Sequence, residues 1–143
     1  MADQEPGKPG CIGQICWLQV PVIDSTRARD FYTEILGWEC PPDPVQSDKS
    51  GVKAMHFFNK GHLHGAFTVM NEGYQITNHK DGVQDALPVL PTFNVQECNE
   101  TLDKVKGLGG KVQCPKTAIG GEMGHYARFI DTEGNMIGIW SQN

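Results

Sequence analysis

Residues 20–38, VPVIDSTRARDFYTEILGW, contain the signal that decides the fold. Asp24-Ser25 predicts a helix N-cap, because such side chains accept hydrogen bonds from the free backbone N–H groups of a first turn. Apolar side chains then recur at helical spacing up to Gly37, and glycine is the usual residue at a helix end. These apolar positions are Ala28, Phe31, Tyr32, Ile35 and Leu36. The alternating residues 14–21 predict a strand that leads into this amphipathic helix.

The residues that follow predict three more strands. Two of them, Val52–Asn59 and Leu63–Met70, form a hairpin in which Gly61 supplies the turn. Trp38–Cys40 is a short strand ahead of them, and the loop at residues 41–44 cannot be helical because its prolines lack backbone donors. The first half of the chain is therefore predicted as β-α-β-β-β.

The second half repeats this order. An offset of 73 residues maps the helix glycine Gly37 onto Gly110, and the strand glycine Gly65 onto Gly138. The predicted elements are a strand at 87–95, a helix at 97–108, a strand at 111–114, and a final hairpin of 125–130 and 135–140 around a turn at Asp131–Gly134. The sequence thus predicts an α+β fold of two tandem βαβββ modules.

These modules predict one domain over residues 13–143. Module 1 covers about 13–72, a linker covers 73–86, and module 2 covers about 87–141. Residues 1–12 are rich in glycine, proline and charge, which predicts a flexible tail.

Two separated motifs resemble the vicinal oxygen chelate superfamily, which includes glyoxalase I, the bleomycin-resistance proteins and the extradiol dioxygenases. The first motif is residues 20–38 and the second is FIDTEGN at residues 129–135. The resemblance covers nearly the whole chain. It implies that the two modules form a glyoxalase-like open barrel with a central cleft.

Metal-dependent members of that superfamily hold a divalent ion with four strand residues. The resemblance places these four positions at Trp17, Gly65 or its neighbour Ala66, Leu90 and Gly138. None of these side chains is a metal donor, so we expect neither a metal nor another cofactor. His62 and His64 offer two imidazoles on one strand, but no third ligand follows at a suitable spacing.

Strand alternation from those four positions predicts the lining of the cleft, since residues i and i+2 point the same way. The predicted ligand-binding side chains are Trp17, Gln19, Phe67, Leu90, Thr92, Asn94, Phe129 and Trp140, with Glu122 on a glycine-flanked loop at the cleft mouth. The alternative is that the aromatic side chains only fill the interior.

His56 and His125 are the predicted general acids or bases, because imidazole titrates near neutral pH. His56 faces the cleft if the turn around Gly61 has two or four residues, and His125 and Phe129 face it if the turn at Asp131–Gly134 has four. Each histidine has the alternative of a structural role, hydrogen-bonded to the backbone.

Composition excludes several classes of function. The net charge of −5 and the scattered basic residues provide no patch for nucleic acid. No run approaches the roughly 20 apolar residues that cross a bilayer. Five cysteines without a Cys-x-x-Cys pair fit reduced thiols and a cytoplasmic location.

We therefore expect a metal-independent lyase, isomerase or cyclase that acts on a small apolar or aromatic molecule. The alternative is a non-catalytic binding protein of the resistance type. A metal-dependent glyoxalase-like lyase or dioxygenase is the third reading. The superfamily's habit of pairing modules makes a homodimer an expectation beside the monomer.

Overall fold

The computed structural model describes residues 12–143, which divide into two compact units. The first unit comprises residues 12–33 and 37–75, and the second comprises residues 34–36 and 76–143. Most of the predicted tail at residues 1–12 lies outside the described residues. In the described part of the chain, no helix is long and apolar enough to span a membrane.

The first unit contains a four-stranded sheet and all but the last three residues of its helix. Helix α1 (Ser25–Leu36) is confirmed with its caps, since Asp24 accepts a hydrogen bond from the Arg27 N–H at 3.0 Å and Gly37 has φ 70°. The strands are β1 (Leu18–Val22), β2 (Val45–Gln46), β3 (Val52–Lys60) and β4 (Leu63–Met70). Their spatial order is β1-β4-β3-β2, with β1 parallel to β4 and the other pairs antiparallel.

Stacked aromatic rings form the core of this unit. Tyr32 of α1 stacks on Trp38 at 4.5 Å between ring centroids and on Phe67 of β4 at 5.6 Å. Trp38 in turn stacks on Phe58 of β3 at 4.1 Å. All four rings are buried, so helix α1 packs against one face of its sheet and excludes water from it.

The second unit repeats this arrangement. Its elements are β5 (Thr92–Asn94), α2 (Cys98–Gly107), β6 (Lys111–Ala118), β7 (His125–Ile130) and β8 (Met136–Ser141). The spatial order β5-β8-β7-β6 matches that of the first unit, with the first strand again parallel to the last. The predicted α+β fold of two βαβββ modules is therefore confirmed.

Helix α2 begins at the N-cap Glu97, whose carboxylate accepts hydrogen bonds from the backbone N–H groups of Asn99 and Glu100. The Lys116 ammonium lies 2.9 Å from the same carboxylate, and this hydrogen bond holds the pKa of Glu97 below its ordinary value. The first turn of α2 also bonds to the sheet, since the Cys98 N–H donates to Ser141 Oγ at 3.1 Å.

Three strand predictions need correction. The strand predicted at 87–95 is paired only over Thr92–Asn94, because Pro88 and Pro91 lack the N–H groups that a ladder needs. Strand β6 continues four residues beyond the predicted 111–114, with two register shifts. The strand predicted at Trp38–Cys40 is a single bridge between Glu39 and Asn59.

The turn between β7 and β8 is one residue longer than predicted. Ile130 pairs with Met136, so the loop is Asp131–Asn135. The Asp131 carboxylate accepts hydrogen bonds from the backbone N–H groups of Glu133 and Asn135, at 2.8 and 2.9 Å, and from the Asn135 side-chain amide at 3.2 Å. Asn135 is therefore held inside the loop, and the extra residue reverses the face on which every β7 side chain lies relative to β8.

Replacing Asp131 by alanine is expected to lower the free energy of unfolding by about 2–3 kcal/mol. The variant loses a buried acceptor and leaves the N–H groups of Glu133 and Asn135 unpaired. Urea denaturation measures this change. Asp131→Asn keeps one acceptor oxygen, so an equal loss in both variants would contradict the role assigned to the carboxylate.

Candidate functional site

Each sheet has one face that packs on its own helix, here called the helix face, and an opposite face. Cross-strand partners point to the same side of a sheet. In the first unit, Val20, Phe67 and His56 are partners in one row, and Phe67 contacts Tyr32 of α1. This row therefore lies on the helix face, and the neighbouring row of Gln19, Ala66 and Phe57 lies on the opposite face.

His56 and Phe67 do not share a face with Gln19, so the prediction that they line one surface is wrong. The β3–β4 turn has two residues, and His56 does lie on the side of Gly65 as predicted, but that is the helix face. His56 is fully buried, and its Nε2 lies 2.7 Å from the Pro41 carbonyl. Its Nδ1 has no hydrogen-bond partner among residues 12–143. This contact with the backbone is what the alternative of a structural role for His56 predicts.

His125 and Phe129 also lie on a helix face. Phe129 pairs with Ile137, and His125 pairs with Ser141, whose hydroxyl is bonded to Cys98 of α2. The prediction that both face the same surface as Gly138 is wrong because it assumed a four-residue turn before β8. His125 Nδ1 is buried and has no hydrogen-bond partner in the described part of the chain.

The opposite face of the second unit does bring predicted residues together. One row across three strands contains Thr92, Gly138 and Arg128, and the next contains Asn94, Trp140 and Tyr126. Leu90 belongs to the same surface, since its Cδ2 lies 3.2 Å from where a Gly138 Cβ would stand. Thr92, Asn94, Leu90 and Trp140 were predicted for the site. Arg128 and Tyr126 were missed.

Gly138 does not leave an empty space on this face. The Thr92 hydroxyl lies 2.5 Å from the position that a Gly138 Cβ would take. Neighbouring strands are about 4.8 Å apart, so Thr92 and Arg128 stand roughly 10 Å apart across this glycine. Thr92 and Asn94 are exposed, and their side chains make no hydrogen bond to another described residue.

Arg128 is a buried charged group of this face, and its side chain is only 6% exposed. Its Nε donates to Gln113 Oε1 at 2.8 Å, and its guanidinium carbon lies 5.6 Å from the centre of the Tyr126 ring. Its Nη2 is 3.5 Å from a carboxylate oxygen of Asp85. A buried cation on the same sheet face as an aromatic ring and exposed hydroxyl and amide groups is typical of a site for a polar ligand.

The orientation of the Trp140 side chain is held by contacts with the loop that carries Glu122. Its Nε1 donates to the Met123 carbonyl at 2.8 Å, and Gly124 lies directly against its ring. The Gln142 amide donates to the Glu122 carbonyl at 3.1 Å, while the Glu122 side chain is exposed. Trp140 thus presents a half-buried ring in a fixed orientation, and the predicted ligand contact of Glu122 stays a prediction.

The opposite face of the first unit carries the other two predicted contacts, Trp17 and Gln19, both exposed. The Trp17 ring meets the edge of Phe57 at 6.3 Å. Phe57 was not predicted for the site.

The residues at the four metal positions of the superfamily do not fit a metal ion. Ala66 rather than Gly65 lies on the face of Gln19, and Leu90 and Gly138 share the opposite face of the second unit. None of these, nor Trp17, has a donor side chain. Within residues 12–143, no three His, Cys, Asp or Glu side chains form a group that could hold an ion.

A helix packed on a sheet of order β1-β4-β3-β2, present twice in one chain, defines the class of paired βαβββ-module proteins. The family model of the Glyoxalase/Bleomycin resistance protein/Dioxygenase superfamily matches residues 14–139. The chain belongs to this superfamily of small-molecule-binding proteins, which confirms the resemblance seen in the sequence.

Named relatives differ in what they are described to do. The chain is 28% identical over 128 residues to CFP32 of Mycobacterium tuberculosis, described as a candidate glyoxylase; the match covers 89% of this chain and 45% of CFP32. The chain therefore spans less than half of that relative. Two of the solved structures that share the fold are described as resistance or binding proteins. The fosfomycin resistance protein FosX of Listeria monocytogenes has a TM-score of 0.62 at 16% identity, covering 90% of this chain and 93% of its own. The antibiotic binding protein TnmS3 of Streptomyces sp. CB03234 has a TM-score of 0.56 at 16% identity, covering 90% and 95%.

Proposed function

We propose that this protein binds a small organic molecule with a flat apolar part, and that it does so without a metal ion. The observation that carries the proposal is the opposite face of the second unit, where a fixed tryptophan ring stands beside exposed hydrogen-bonding side chains. Trp140 offers the stacking surface, and Thr92 and Asn94 offer groups that no described residue occupies. Aromatic stacking combined with a few convergent polar groups is typical of small-molecule sites.

Binding is better supported than the lyase, isomerase or cyclase activity expected from the sequence. Proton transfer was assigned to His56 and His125, and both lie on faces covered by a helix. A general acid or base must reach the proton that it moves, directly or through one water molecule. TnmS3, which has the same fold, is described as an antibiotic binding protein, so the fold is compatible with binding alone.

The test is a binding screen in the presence of EDTA. A panel of flat aromatic carboxylic acids and their amides is titrated against the protein by isothermal calorimetry, and the tightest ligand is then measured with Thr92→Val. This variant keeps the shape of the side chain and removes its hydroxyl, so affinity is expected to fall about fivefold, the equivalent of one hydrogen bond. Thr26→Val, on the exposed surface of α1, is the matched control and is expected to change nothing.

Two results would contradict the proposal. Binding that occurs only after addition of Ni²⁺, Zn²⁺ or Mn²⁺ would refute metal-free binding. An equal affinity in Thr92→Val and Thr26→Val would remove the Thr92 hydroxyl, one of the polar groups on which the proposal rests, from the site.

A further inference from the structure

Residues 78–85, here called the strap, are tied to the second unit at both ends. At the first end, Asn78 exchanges two hydrogen bonds with the Met136 backbone, at 2.7 and 2.9 Å, and His79 Nε2 lies 2.9 Å from the Gly134 carbonyl. At the other end, the side chains of Gln84 and Gln113 each donate to the other's backbone carbonyl. Asp85 follows with its contact to Arg128.

The strap is not packed tightly along its length. A cavity of about 380 Å³ lies between residues 79–84 and the edge strand β6, lined there by Lys111–Gln113. Asp81, Val83 and Gln84 are exposed. Segments with little buried apolar contact open at low cost in free energy. We therefore expect the exposed end at Gln84 and Asp85 to separate more readily than the half-buried end at Asn78 and His79.

The two partners of the contact between Asp85 and Arg128 differ in their exposure to solvent. The Arg128 side chain is 6% exposed, whereas that of Asp85 is 93% exposed, and 3.5 Å between the charged atoms is longer than a direct charge-assisted hydrogen bond of about 2.8 Å. A buried cation is costly unless an anion and hydrogen bonds compensate it fully. Gln113 accepts a hydrogen bond from one N–H of the guanidinium, and the carboxylate of Asp85 interacts with the guanidinium only weakly.

We propose that Arg128 binds a carboxylate, or a similar oxyanion, of the ligand, and that Asp85 occupies this position in the free protein as an intramolecular anion. The inference rests on the proposed function and adds the chemical class of the ligand to it. Gln113 orients the guanidinium, the ring of the ligand lies toward Trp140, and ligand binding releases Asp85 from Arg128. Since Asp85 competes with the ligand, the apparent affinity is reduced by the fraction of molecules in which Asp85 is bound.

The experiment compares three acids with their neutral amides: benzoic, 2-naphthoic and indole-3-acetic acid. Calorimetry at pH 7 and low salt is expected to show that each acid binds at least tenfold more tightly than its amide. Asp85→Asn is expected to tighten acid binding about threefold to tenfold and to leave amide binding unchanged. Asp81→Asn removes the same charge four residues earlier, away from Arg128, and is expected to change neither.

Arg128→Gln is expected to abolish the preference for acids. Because this variant removes a buried charged group and so also destabilises the fold, the exposed Asp85→Asn and Asp81→Asn variants carry the test by themselves. A second measurement follows the strap: hydrogen exchange at residues 82–86 is expected to rise when a saturating acid is added, and to stay the same with the amide.

Each other outcome has a distinct meaning. Equal binding of acids and amides by the wild type overturns the anion inference and leaves the proposed function intact. Equal effects of Asp85→Asn and Asp81→Asn overturn the role of Asp85. Binding of no acid and no amide overturns both this inference and the proposed function.

Discussion

Replacing Phe67 by alanine is expected to lower the free energy of unfolding by about 4 kcal/mol, the usual cost of removing a buried aromatic ring. Phe67 is fully buried, and its ring centroid lies 4.8 Å from that of Phe58, 5.6 Å from Tyr32 and 5.9 Å from Trp38. The vacated volume adjoins rigid rings that cannot collapse into it without breaking their own stacking. For a chain of this size the melting temperature is expected to fall by roughly 8–16 °C.

Phe57 provides the matched control for this prediction. It is also a phenylalanine, in the neighbouring strand β3, but it lies on the opposite face and is 38% exposed. Phe57→Ala is expected to cost less than about 1.5 kcal/mol, because water already contacts much of the ring. Equal losses in the two variants, measured by urea denaturation, would contradict the assignment of Phe67 to the core and restore it as a candidate ligand contact.

Helix α1 could be predicted with its caps because the signals that define it are local. Asp24, the apolar spacing and Gly37 lie within one stretch of chain, and the hydrogen bonds that they imply are made within it. Helix α2 follows the same rule, although its cap is Glu97. The repeat was visible for the same reason, since both helices occur at matching positions in their modules.

The faces of the strands could not be predicted with the same accuracy, because each depends on the length of a turn. The helix-face residues Val20 and Phe93 are 73 residues apart, whereas their partners Phe67 and Ile139 are 72 apart. The offset therefore changes by one within the repeat. The match of Gly65 with Gly138 concealed this change, and it placed the side chains of β4 on the wrong face.

Arg128 was missed for the same reason. In β7 the sequence HYARFI alternates, so the error in one turn moved His125 and Phe129 into the predicted site and moved Tyr126 and Arg128 out of it. One signal in the sequence could have indicated the five-residue loop: Asn135 can return its side chain to Asp131, as it does at 3.2 Å. An arginine between Ala127 and Phe129 in a strand would then have indicated the face of the proposed site.

The two glycines that matched in the sequence are expected to respond very differently to alanine. Gly65→Ala is expected to lower the free energy of unfolding by about 3–4 kcal/mol, because a Cβ there would meet the Leu18 carbonyl and would lie 2.5 Å from Phe58 Cζ. The obstacle is the backbone of the parallel partner strand, which can move only by breaking the pairing of β1 with β4.

Gly138→Ala is expected to cost only about 1 kcal/mol, since the new Cβ meets the Thr92 hydroxyl, which lies at the end of a side chain that can rotate away. That rotation removes the Thr92 hydroxyl from the proposed site, so ligand affinity is expected to fall about as much as in Thr92→Val. Parallel urea denaturation and calorimetry measure both effects. Equal destabilisation at the two glycines would contradict their assignment to different faces, whereas a stable Gly138→Ala with unchanged ligand affinity would remove Thr92 from the site.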